Sequence, residues 1–190
     1  MNRLIEACGE IDRFFRQKDI PYVIIGGMAL QHWGQPRFTR DVDVTILVPP
    51  PQEEKTLKKI LTVFTPRIPQ ALTFALKHRV CLLRSRNGCE IDLSLGVPGY
   101  EEEVMKRAVE HPWGANQNLR LCSAEDLIIH KAVAARPQDG ADIESVIHRQ
   151  GKKLDIIYIR YWLQQFSQLL EKKEILQTFE IFWEDFISKQ

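Results

Sequence analysis

Two apolar strands separated by a glycine pair set the terms for the first fifty residues. Val23-Ile24-Ile25 runs into Gly26-Gly27, a short apolar piece ends near Gly34, and a second β-branched run over residues 42–48 stops at Pro49-Pro50-Pro51. At the head of that second run Asp41 and Asp43 flank Val42. Side chains alternate faces along a strand, so both carboxylates project to one side while Val42 and Val44 project to the other. Two like charges held close in a low-dielectric setting repel, which costs stability unless a proton or a cation lies between them.

A third carboxylate, Asp92, sits in another apolar strand between Ile91 and Leu93, which face the opposite way. If the two strands are neighbours, three carboxylates gather at one spot. Mg2+, with Mn2+ as a substitute, is the natural neutraliser, because it favours one or two carboxylates together with water and substrate phosphates. Such a site suits two-metal phosphoryl or nucleotidyl transfer. A lone aspartate is as often a strand-end or turn residue; three together beside a glycine pair are harder to explain that way. The succession of strand, Gly26-Gly27 and helix presents bare backbone N–H groups and a helix N-terminus where a phosphate can approach. It matches neither the Walker pattern nor the dinucleotide fingerprint.

Along the rest of the chain, apolar periodicity predicts helices over residues 3–17, 28–33, 53–64, 69–76 and 100–110, with strands over 22–25, 42–48, 80–83 and 90–95. Arg86-Asn87-Gly88 is the turn of a hairpin joining the last two strands. Residues 119–121 read as a short edge strand. Ser123 with Asp126 three residues on opens a helix through residue 135 in the manner of a capping box, and residues 139–149, 155–170 and 173–187 are helical with no further strand signal. The expected fold is therefore α/β (α+β), a small mixed sheet flanked by helices over residues 1–120, followed by a helical bundle over residues 121–190.

Composition adds bounds. With 190 residues and a net charge of +1, the chain buries a core without staples, and its overall field neither favours nor forbids nucleic acid. Lys77, His78, Arg79, Arg84 and Arg86 form a basic cluster, read as a solvated face with RNA or phosphate binding as the functional alternative. Cys8, Cys81, Cys89 and Cys122 lack metal spacing and read as reduced structural thiols, which points to the cytoplasm. Neither a signal peptide nor a membrane span is expected. The histidines share no ligand spacing, and Trp33, Trp113, Trp162 and Trp183 read as core or inter-helix filler. The stretch HPWGANQNLR, residues 111–120, opens like a Fic loop but lacks its acidic and Gly-Asn-Gly-Arg elements, and reads as a loop or strand entry.

The combination of apolar-Gly-Gly, Asp41-Val42-Asp43-Val44 and a later strand aspartate resembles the signature of the polymerase-beta-like nucleotidyltransferase superfamily. Within it, Arg37-Phe38-Thr39-Arg40-Asp41-Val42-Asp43 looks like the Arg-x-Thr-x-Asp-apolar-Asp run of the abortive-infection toxin nucleotidyltransferases. Asp126-Leu127 through Lys131-Ala132, Arg136, Asp139 and Asp142 are similar to that group's helical segment. The resemblance implies a nucleotidyltransferase fold in which Gly26, Gly27, Arg37, Thr39 and Lys131 hold a nucleoside triphosphate such as ATP. Asp41, Asp43 and Asp92 would be both the catalytic residues and the metal ligands. It further implies an RNA, tRNA or protein acceptor and a cognate antitoxin partner in a toxin–antitoxin or phage-defence system. An antibiotic-modifying transferase differs only in its acceptor, and a non-catalytic NTP-binding or regulatory module is the reading from another class. This chain has Gly-Gly where many superfamily members have Gly-Ser, which puts more of the phosphate binding on backbone groups.

Overall fold

A computed structural model describes residues 3–113 and 118–189. In chain order the elements are α1 (Arg3–Gln17), β1 (Tyr22–Ile24), α2 (Gly26–Trp33), β2 (Asp41–Ile46), α3 (Pro50–Ile60), β3 (Thr65–Pro66), α4 (Ala71–His78), β4 (Val80–Arg84), β5 (Glu90–Leu95), α5 (Tyr100–Arg107), β6 (Val109–Pro112), β7 (Asn118–Leu121), α6 (Ala124–Ala134), α7 (Asp139–Gln150), α8 (Ile156–Leu169) and α9 (Glu174–Ser188). By internal contacts they fall into two units, Met1–Met28 with Phe38–Cys122 and Ala29–Arg37 with Ser123–Gln190.

The first unit is built on a mixed seven-stranded sheet of order β3-β4-β5-β2-β1-β7-β6. The pairs β2–β5 and β1–β7 are parallel; the others are antiparallel. Alternation decides which face is covered. Val42, Val44 and Ile46 lie level with Ile91, Leu93 and Leu95 across the central pair, and all six are buried. Ala7, Cys8, Ile11, Phe14 and Phe15 of α1, with Leu57 and Ile60 of α3, close that face into one core. Burying an aliphatic or aromatic side chain of this kind stabilises the fold by about 1.5–3 kcal/mol each. The opposite face of the same strands carries the aspartates.

Two short strands depart from expectation. Residues 109–112 pair with β7 as β6 instead of extending α5, and residues 65–66 pair with β4 as β3. The middle of the stretch over residues 111–120, residues 114–117, lies outside the described residues; its two ends belong to β6 and β7.

The second unit is helical. α6 contacts α7, α8 and α9, and its residues Leu127, Ile128, Ile129 and Ala132 are buried, as a helix with little polar surface must be. Ser123 caps it: its Oγ accepts from Asp126 N at 3.1 Å and donates to Asp126 Oδ2 at 2.6 Å, so the aspartate returns to the cap's hydroxyl. Asp155 caps α8 by accepting from Tyr158 N at 3.0 Å. All four cysteines are buried and unbridged; burial and the neighbouring Cys89 push the Cys8 thiol up to about 12. The four tryptophans are half-buried, while Phe179 and Phe186 carry the buried stripe of α9. Among the described residues no helix is long and apolar enough to cross a membrane.

Candidate active site

The parallel register of β2 and β5 sets Asp43 level with Asp92 and Asp41 level with Glu90. All three aspartates therefore leave the sheet on the face opposite the valines, and one carboxylate oxygen from each lies within 4.8 Å of the other two. All three are half-buried. Burial pushes the Asp92 carboxyl above the usual range; Arg67 opposes that shift, and the charge of Asp41 reinforces it.

Three local devices hold this cluster. Asp43 lies against the bare Cα of Gly26, whose φ of +62° is left-handed; a Cβ there would collide with the Asp43 carboxylate. Such a backbone costs a residue with a side chain about 1–2 kcal/mol even in open space. A Cβ on Gly27 would come within 2.5 Å of Thr39 Oγ1, and that hydroxyl donates to Asp41 Oδ1 at 3.1 Å. The glycine pair opens α2, as expected of a phosphate cradle, but its missing Cβ atoms make room for the protein's own Asp43 and Thr39. The helix N-terminus beside Asp43 also favours its negative charge. Thr39, expected to touch nucleotide, has its hydroxyl on Asp41.

The third device is Arg67, which sequence reasoning missed. Its guanidinium donates to Asp92 Oδ1 through Nη2 and to Glu90 Oε2 through Nη1 at 2.8 Å. Arg67 is largely buried, and its Nε has no hydrogen-bond partner among the described residues. Glu90 also receives Arg84 at 3.3 Å, and these two arginines, Arg84 first, hold its carboxyl below the usual range. Arg67 thus brings a positive charge to one of the three aspartates, Asp92. The three convergent carboxylates offer an all-oxygen donor set, so the residues fit the metal expected. No local signal marks Arg67; it stands between two prolines beyond a two-residue strand.

Lys131 and Arg37 belong to the second unit. Lys131 Nζ donates to Asp139 Oδ1 at 3.0 Å and Asp142 Oδ2 at 2.5 Å. Arg37 grips Asp142 in a fork, Nε to Oδ1 and Nη2 to Oδ2, both at 2.9 Å. Burial alone would raise the Asp142 carboxyl, but Arg37 and Lys131 outweigh it and hold it below the usual range. The basic cluster of residues 77–86 also disperses: Arg79 binds Glu53 at 2.8 Å, Arg84 binds Glu90, and Arg86 reaches Glu10 at 3.4 Å.

Solved structures share this architecture at low sequence identity. An antigenic nucleotidyltransferase-like protein from Paracoccidioides brasiliensis aligns over 94% of this chain and 92% of its own, with a TM-score of 0.53 and 17% identity. The antibiotic-resistance factor ANT(2'')-Ia aligns over 88% and 94%, at 0.57 and 14%. The lincosamide antibiotic adenylyltransferase LnuA, solved with lincomycin, aligns over 76% and 98%, at 0.52 and 12%. The fold is thus that of the nucleotidyltransferases. The chain itself belongs to the family described as "Nucleotidyltransferase of unknown function (DUF6036)", whose model matches residues 2–190. No curated protein matches the sequence significantly.

Proposed function

We propose that the chain moves a nucleoside monophosphate from a nucleoside triphosphate to an acceptor hydroxyl or phosphate, with Asp41, Asp43 and Asp92 as the catalytic and metal-binding residues. The observation that carries this reading is the convergence of the three carboxylates within 4.8 Å on one face of β2 and β5. A non-catalytic nucleotide-binding module would have no need to keep all three. Mg2+, or Mn2+ in its place, would supply the positive charge that neutralises the developing charge on the transferred phosphoryl group.

The bond formed joins the acceptor oxygen to the α-phosphorus, and the bond broken joins that phosphorus to the bridging oxygen, so pyrophosphate leaves. Asp92, raised by burial, takes the acceptor's proton. Asp41 is held in place by Thr39 and Asp43 by the space at Gly26. The backbone N–H groups of Gly26 and Gly27, at the start of α2, take phosphate oxygens. The acceptor is RNA or tRNA, a protein side chain or a small molecule. The motif resemblance supports the first and a toxin role with an antitoxin partner; the likeness to ANT(2'')-Ia and LnuA keeps a small molecule in contention.

The test is to incubate the protein with Mg2+ and each α-labelled nucleoside triphosphate, together with total RNA, lysate protein, or aminoglycosides and lincosamides. Label should enter one fraction and be lost, by at least about a thousandfold, in Asp41→Asn and Asp43→Asn. Label transfer by both variants at the wild-type rate rejects the assignment.

A further inference from the structure

Arg67 follows the two-residue strand β3 directly, yet its charge is delivered two strands away. Its backbone N–H donates to Leu82 O at 2.9 Å, and Leu82 lies level with Asp92 in the antiparallel register of β4 and β5. From there the side chain crosses to β5, where Glu90 and Asp92, two positions apart, leave the strand on one face. Nη1 donates to Glu90 Oε2 at 2.8 Å and Nη2 to Asp92 Oδ1. Only 15% of the side chain is exposed, against 49% for Arg84, and its Nε is covered by protein.

An exposed arginine loses much of the gain from an ion pair to the entropy of holding a long side chain still. Arg67 is held at both ends, by a backbone bond to β4 and by two carboxylates of β5, so its guanidinium is a fixed part of the acidic cluster. It occupies one oxygen of Asp92. The other, Oδ2, accepts no hydrogen bond from a described residue.

Two-metal sites place ions about 3.5–4 Å apart to clamp the attacking and leaving oxygens. Such a pair draws on most of the carboxylate oxygens of its cluster, and here one of them is already taken by a guanidinium that repels a further cation. The converging oxygens of Asp41, Asp43 and Asp92 lie within 4.8 Å of one another. Oxygens around one octahedral Mg2+ lie about 3–4 Å apart, so that span suits a single ion. We infer that Arg67 is a resident cation of this site, supplying at Asp92 the charge that a second metal ion would bring, and that the cluster takes one divalent ion. Arg67 is a positioning residue: it acts through Asp92, fixing Oδ1 and leaving Oδ2 for the ion or for the acceptor's proton. This rests on the proposed nucleotidyl transfer and adds its metal stoichiometry.

The test reads bound metal instead of turnover. Wild-type protein with an ATP analogue carrying methylene in place of the α,β-bridging oxygen is studied by electron paramagnetic resonance with Mn2+ in excess. The expected spectrum is that of isolated ions; a spin-coupled pair that disappears in Asp43→Asn overturns the proposal. Mn2+ affinity without nucleotide then separates a charge from a strut. Arg67→Met should bind Mn2+ about tenfold more tightly than wild type, because a neighbouring positive charge is gone, and Arg67→Lys should stay within about threefold of wild type. A structural role alone predicts the opposite sign, since a loosened cluster binds metal more weakly. Equal or weaker binding by a folded Arg67→Met therefore overturns the proposal as well; where that variant does not fold, the wild-type spectrum and Arg67→Lys decide. A wild type that binds neither Mn2+ nor the analogue rejects the nucleotidyl-transfer reading along with this one, whereas a coupled pair of ions rejects the single-ion site alone.

Discussion

The molecule holds two clusters of semi-buried charge that follow opposite rules. In the second unit, Lys131, Arg37 and Arg136 face Asp139 and Asp142, so each carboxylate has two cationic partners, and Lys131, Asp139 and Asp142 are 5%, 1% and 5% exposed. In the first unit three aspartates converge, and Arg67 pairs with one of them, Asp92. A buried network that balances itself has no call on an outside ion, and removing one member leaves an uncompensated charge. A cluster of convergent carboxylates is more comfortable with a cation than without one.

The comparison breaks most sharply at Lys131. Lys131→Met leaves Asp142 with Arg37 and Asp139 with the more exposed Arg136, removing the buried ammonium between them, and should cost about 3 kcal/mol, lowering Tm by roughly 10 °C in thermal and urea unfolding. Adding Asp139→Asn to that variant should recover part of the loss, because the buried carboxylate left with only Arg136 is removed. A Lys131→Met protein as stable as wild type would mean that the network is not self-balancing.

Gly26→Ala comes next. Its left-handed φ and the Asp43 contact predict a loss of about 1–3 kcal/mol, with label transfer reduced at least tenfold as Asp43 is pushed aside. Asp43→Asn should move stability the other way. Relief of repulsion among half-buried carboxylates should stabilise the metal-free protein by about 1 kcal/mol, a rise of about 2–4 °C in Tm. Scanning fluorimetry in EDTA and then in Mg2+ checks this: Mg2+ should stabilise the wild type and leave Asp43→Asn nearly unchanged. Equal Mg2+ shifts in the two proteins would remove the acidic cluster as the metal site.

Much of this contrast was legible in the sequence because alternation is a local property. Asp41, Val42 and Asp43 declare opposite faces from spacing alone, and Glu90–Leu95 does the same. That Asp92 stands beside Asp43 required only that β2 and β5 pair in register. What stayed hidden depends on partners far along the chain. Arg67 meets Asp92 and Glu90 across 25 and 23 positions, and nothing around Pro66 and Pro69 hints at a buried guanidinium. β6 reads as the tail of α5 until β7 supplies its hydrogen bonds. The basic cluster looked like one surface, yet its arginines are spent on Glu53, Glu90 and Glu10 from three different elements. The glycine pair was noticed for the right reason, absent Cβ atoms, but the side chains that fill the space come from β2 and the segment before it.

The smallest effect sharpens the contrast through pH. Arg37 and Lys131 hold the Asp142 carboxyl below its unfolded value of about 3.9. A depressed folded value favours the ionised form in the native state, so its contribution to stability is complete above about pH 4 and is lost as pH falls through the folded value. Asp92 runs the other way: burial raises its folded value, so protonation on acidification favours the native state. In EDTA, then, Tm measured from pH 6 down to pH 2.5 should fall less steeply below pH 4 in Asp142→Asn than in wild type. Above about pH 4 it should fall more steeply in Asp92→Asn, which lacks the proton uptake that begins at the raised folded value. Parallel acid limbs in all three proteins would show that neither cluster couples its charge to folding, and the distinction between a balanced network and a surplus one would lose its energetic basis.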